Sequence, residues 1–119
     1  MGRVQFIRHG GRDILFLDFS KCSIAEALAV IDESAAVIRS TPEDSLLTLT
    51  DVTGVSYDYS LSQKMKEFTT LNKPHVRAAA VIGVAGLKKI LFDAIMIFSK
   101  RNLQAFDDME KAKDWLTTN

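Results

Sequence analysis

The sequence has a single cysteine, Cys22, so it has no intramolecular disulfide and its fold must be held by apolar burial. That usage fits a reducing compartment, and a cytoplasmic location is expected. Charge of one sign is also missing: 15 basic and 15 acidic residues balance to a formal net charge of +0. Without a net field, nothing in the composition draws the chain to nucleic acid or to an anionic lipid surface. Long apolar runs are absent as well. No stretch reaches the roughly 20 residues of a membrane span, and Arg3 and Arg8 arrive before any apolar segment long enough for a secretion signal. The two histidines, His9 and His75, have no second histidine or cysteine at metal-ligand spacing, so no metal is expected. There is no Walker or dinucleotide fingerprint, and no Ser, His and Asp stand in an order that reads as nucleophile, base and orienter. Neither a cofactor nor an enzymatic activity is expected.

What is present is the mixture of one globular domain, 47% hydrophobic and 25% charged, over a length of 119 residues that buries a continuous core unaided. Val4, Phe6 and Arg8 alternate with Gln5 and Ile7, then His9-Gly10-Gly11-Arg12 precedes the apolar run 14–17. That pattern predicts a β-hairpin with glycine at its turn. Ser23 and Glu26 form a capping box ahead of a helix whose apolar face carries Ile24, Leu28, Ile31, Ala35 and Ile38. Pro42 ends it, and 46–50 reads as a mostly buried strand running to Asp51. Ser60 and Gln63 predict a second capping box before Leu61, Met65, Phe68 and Leu71, and Pro74 closes that helix. The little-alternating run 78–82 predicts a central strand covered on both faces. Gly83 and Gly86 lead into a third helix over 87–100, 103–106 is a short last strand, and Asp107 with Glu110 predicts a third capping box before Ala112, Trp115 and Leu116. The expected order is β-β-α-β-α-β-α-β-α. This is an α/β fold, a single domain over 1–119 with four helices around a mainly parallel mixed sheet and an N-terminal antiparallel hairpin.

Four segments carry a family resemblance: Leu-Thr-Asp-Val-Thr-Gly-Val at 49–55, Arg-Ala-Ala-Ala-Val-Ile-Gly-Val-Ala-Gly-Leu at 77–87, Phe-Ser-Lys-Arg-Asn-Leu-Gln-Ala-Phe at 98–106, and Glu-Lys-Ala-Lys-Asp-Trp-Leu at 110–116. In order and spacing they resemble the STAS superfamily, the fold of bacterial anti-anti-sigma factors, and in particular its SpoIIAA-like branch, which has been grouped with CRAL-TRIO lipid-binding domains. The resemblance implies a protein-binding domain with a phosphoacceptor serine at the start of the second helix. Laying Thr53-Gly54-Val55 on the family's Ser-Gly-Val places that serine at Ser60. The family's Asp-Ser-Ser-Gly is not kept: Tyr59 stands for the aspartate, and Leu61 and Ser62 for the Ser-Gly.

Each candidate has a plainer explanation beside the functional one. Ser60 suits a helix cap as well as a modification point at the positive end of a helix dipole. Asp51 and Asp58 suit solvated turns as well as a site at the carboxyl edge of the sheet. Gly83, Gly86, Lys88 and Lys89 could hold an anion, although two glycines at such a turn are more often required by the backbone. On the helix expected over 87–100, Phe92 and Met96 fall opposite the sheet-facing arc, among Lys88, Lys89 and Lys100. Burying such side chains gains about 1.5–3 kcal/mol each, so this pair is expected to meet a partner protein or a second copy in a homodimer, unless a neighbouring element of the same chain covers it. The alternative expectation is a carrier of a lipid or other small apolar ligand, which needs a cavity.

Overall fold

The computed structural model of the chain describes residues 2–84 and 102–118. Strands β1 (Val4–His9) and β2 (Arg12–Asp18) pair antiparallel with Val4 opposite Leu17 and His9 opposite Arg12. Between them Gly10 and Gly11 both take positive φ, +58° and +78°, the conformation that lets a two-residue turn follow the twist of its strands.

Helix α1 (Ile24–Arg39) starts at the Ser23 cap, where both halves of the predicted box with Glu26 are made. Its buried stripe is Ala27, Val30, Ile31, Ser34, Ala35 and Ile38, which keeps Ile31, Ala35 and Ile38 of the expected face while Ile24 and Leu28 lie partly buried at its margin. Ser34 sits in that stripe because its hydroxyl donates to the Val30 carbonyl at 2.6 Å. Strand β3 (Leu46–Asp51), helix α2 (Tyr59–Asn72), strand β4 (Val76–Ile82), strand β5 (Leu103–Phe106) and helix α3 (Met109–Thr117) complete the described elements. The helix expected over 87–100 lies outside the described residues.

The five strands are ordered β1-β2-β3-β4-β5, with β2 to β5 parallel and β1 antiparallel at one edge. Side-chain alternation divides the core in two. Leu15, Leu17, Val81 and their neighbours face α1 and α2, while Ile14, Leu47, Leu49, Ala78, Ala80 and Ile82 face Ala112 and Leu116 of α3. Successive parallel strands step in one direction, so connections of one hand place α1 and α2 on the same face. The order never reverses among the described strands, and the crevice that a reversal opens in doubly wound sheets is not built here.

Candidate functional site

The carboxyl edge of the sheet gathers the ends of β2, β3 and β4. Asp51 and its register partner Asp18 both stand there, but each carboxylate is turned onto its own backbone. Asp51 Oδ1 accepts from the Thr53 amide at 2.9 Å and Asp18 Oδ1 from the Ser20 amide at 2.9 Å. These are turn carboxylates, and the geometry gives them no shared task. Gly83, leaving β4 at φ +81°, is forced by its neighbour: a Cβ there would lie 2.6 Å from the Thr53 amide nitrogen and 2.8 Å from its Cα, and would strike its hydroxyl. Its role at this turn is backbone clearance.

The start of α2 corrects the expected cap. Ser60 is not the capping residue; Asp58 is, in extended conformation, with Oδ1 accepting from the Leu61 amide at 2.8 Å. A carboxylate is a stronger acceptor than a hydroxyl at the positive end of a helix, so the helix begins two residues earlier than Ser60 alone implies. Ser60 instead donates its hydroxyl to Asp58 Oδ1 at 2.9 Å and is exposed. The Leu61 amide, and after it the Ser60 hydroxyl, hold the Asp58 carboxyl below its ordinary value. The same correction applies to α3, where Asp108 rather than Asp107 caps, accepting from the Glu110 amide at 3.3 Å. Of the neighbouring hydroxyls, Ser62 is buried and Ser56 exposed. Between Asp58 and Ser60 stands Tyr59, 79% exposed, the most exposed of the large apolar side chains described; Phe6 and Leu71 follow at 52% and 46%. In the sequence Tyr59 stands out only as a departure from the family tetrapeptide.

A second feature lies beneath α2. The helix packs chiefly on α1, and between it and the sheet a cavity of about 80 Å³ remains. Ala79 of β4 leaves room where a larger strand residue would fill it, and the walls are mainly apolar, with Met65, Phe68 and Val81 among them. The polar wall groups are Thr48, Thr50, Thr69 and Asn72. Thr69 donates to the Met65 carbonyl at 2.8 Å. Asn72 is 4% exposed, and its Oδ1 is buried without a hydrogen-bond partner among the described residues. The apolar stripe expected on this helix ended at Leu71; instead Leu71 is half exposed and Asn72 turns inward. The spacing held the signal, since Asn72 continues Leu61, Met65 and Phe68 on one face with an amide where an apolar group would be routine.

Phe92, Met96, Lys88, Lys89 and Lys100, the expected contact residues, lie outside the described residues, as does Gly86. His9 Nε2 meets Asp114 Oδ1 at 2.7 Å and His75 Nδ1 meets the Thr41 carbonyl at 2.8 Å. Burial pushes the Cys22 thiol above its ordinary value, which disfavours the reactive thiolate. Among the described residues no three His, Cys, Asp or Glu side chains are grouped to hold a metal ion, and no helix is long and apolar enough to cross a membrane. No protein-family model, curated protein or solved structure matches the chain.

Proposed function

We propose that the chain is a non-enzymatic, STAS-like protein-interaction domain that works through the carboxyl edge of its sheet and that also associates with itself. The observation that carries this is Tyr59. A tyrosine 79% exposed on the first turn of a capped helix offers a large, rigid apolar face with a polar tip at little entropic cost, which is the composition of an interface anchor. Its neighbours supply a polar rim, Asp58 and Ser60 at the helix start and Ser56 in the preceding loop, all exposed. Phe92 and Met96, with Lys88, Lys89 and Lys100, enter this proposal from their sequence pattern alone.

Ser60 is the proposed regulatory point. Its hydroxyl is exposed and lies against the Asp58 carboxylate. A phosphoryl group there would bring about two negative charges to that carboxylate and to the face of Tyr59, changing what the edge attracts. Sedimentation equilibrium over a range of concentrations tests self-association directly. Wild type is expected to show reversible dimerisation that Tyr59→Asp and Phe92→Asp each weaken at least tenfold. A wild-type chain that stays monomeric throughout would contradict self-association.

A further inference from the structure

The free edge of β1 lies apart from the helix start that carries Tyr59. We infer that β1 is a second self-association surface, at which two copies join their sheets by antiparallel pairing of β1 with β1 about a two-fold axis at Phe6. The inference rests on the self-association proposed above but not on Tyr59.

The hydrogen-bond phase of the hairpin fixes what this edge offers. The Asp18 amide donates to the Arg3 carbonyl at 2.8 Å, so these two residues are a bonded pair. Alternation along the register then makes Gln5, Ile7 and His9 the residues bonded to β2. The amides and carbonyls of Val4, Phe6 and Arg8 therefore point away from β2, to the side where the sheet order places no further strand among the described residues. The edge also lacks the devices that usually blunt one. Its six residues include no proline, its register with β2 is unbroken, and Phe6 near its middle is 52% exposed. The charge it does carry, on Arg8, is held by Asp13 Oδ1 at 3.0 Å.

A second copy is the occupant that this edge fits. With Phe6 opposite Phe6, Val4 lies opposite Arg8 of the other copy, so every outward-facing residue of the strand exchanges both backbone bonds and the two exposed rings meet. The same register brings unlike charges together. Glu33 of α1 is exposed, and its Oε2 lies 3.8 Å from where a Cβ on Gly2 would stand, beside the start of β1. Val4 packs on the α1 side of the sheet, and Phe6 and Arg8 alternate onto that same face. Arg8 of one copy thus approaches the Glu33 end of the other, and the two-fold axis repeats the match. Pairing along one strand buries less than the roughly 1,600 Å² of a standard interface, so this contact is the weaker one and operates at high chain concentration.

The test is amide-resolved hydrogen exchange of the whole chain, read beside sedimentation equilibrium. Exchange at Val4, Phe6 and Arg8 is expected to be about threefold slower at ~1 mM chain than at ~10 µM, while Gln5, Ile7 and His9, already bonded within the hairpin, change little. Phe6→Lys and Phe6→Glu, at an exposed position, should each keep the fold and abolish this concentration dependence by setting like charges opposite one another. An equimolar mixture of the two should restore it. Tyr59→Asp should leave it in place. Dimers in the ultracentrifuge without slowed exchange at Val4, Phe6 and Arg8, slowing that survives Phe6→Lys, or a mixture no better than its components would overturn the inference and leave the contact through Tyr59 standing. A chain that is monomeric at every concentration would overturn both.

Discussion

The Ser60 hydroxyl donates to the Asp58 carboxylate at 2.9 Å, and the carboxylate in turn caps α2 by accepting from the Leu61 amide at 2.8 Å. One residue therefore secures the helix and the other rests on it. The expected consequence is a contrast between two conservative deletions. Asp58→Ala removes the acceptor for a helix-terminal amide and should lower the thermal midpoint by several degrees. Ser60→Ala leaves that bond in place and should shift the midpoint hardly at all; differential scanning calorimetry of both variants makes the comparison.

The two helix-start carboxylates also set an acid limit. Hydrogen bonds from the Ser23 backbone amide and then its hydroxyl hold Glu26 below its ordinary value, as the Leu61 amide and then the Ser60 hydroxyl do Asp58. A group whose folded-state pKa is depressed favours folding fully above its unfolded pKa, and that contribution is lost as pH falls through the folded value. Stability from these two caps should therefore be complete above the ordinary carboxylate range near pH 4 and decline below it. Melting temperatures of wild type and of the Glu26→Gln, Asp58→Asn double variant should differ at neutral pH and converge in acid; a gap that persists at the lowest pH would contradict this origin.

Gly83 should tolerate no side chain. At φ +81°, with the Thr53 backbone in the path of a Cβ, Gly83→Ala combines strain with a clash and should cost more than about 1 kcal/mol. Trimming the neighbour should not rescue it. The obstructing atoms include the amide nitrogen and Cα of Thr53, so Gly83→Ala with Thr53→Ala should unfold at nearly the same denaturant concentration as Gly83→Ala alone.

Leu116 anchors α3 to the second face of the sheet. It is wholly buried against a cluster that includes Leu47, Leu49 and Ala112, and Leu116→Ala should cost about 2–5 kcal/mol by urea denaturation. Leu71, half exposed on α2, should lose far less on the same substitution.

These contrasts show which parts of the architecture local sequence makes readable. The paired glycines Gly10 and Gly11, the reciprocal Ser23 and Glu26, and the apolar strand 46–51 each satisfy a local rule that tertiary structure does not override. Where two local rules compete, pattern alone does not decide. Both Asp58 and Ser60 suit a cap, and the stronger acceptor prevails. Leu71 and Asn72 compete for one inward position, and the helical period favours Asn72 over the more apolar residue. The Asn72 Oδ1, unpartnered among the described residues, and the cavity that residues 48–81 help to line depend on α2, β4 and the small side chain of Ala79 meeting in space, which adjacent residues do not announce. Tyr59 likewise becomes notable only once its neighbours are seen to leave it uncovered.

The most direct test of contact at the sheet edge is to place a photoreactive phenylalanine analogue at position 59 and cross-link in living cells, with the same analogue at exposed position 43 as control. Contact through Tyr59 predicts discrete protein adducts at position 59 that are absent at position 43, one of them at twice the 13.2 kDa mass of the chain. Identical adduct patterns at the two positions, or none at either, would contradict it.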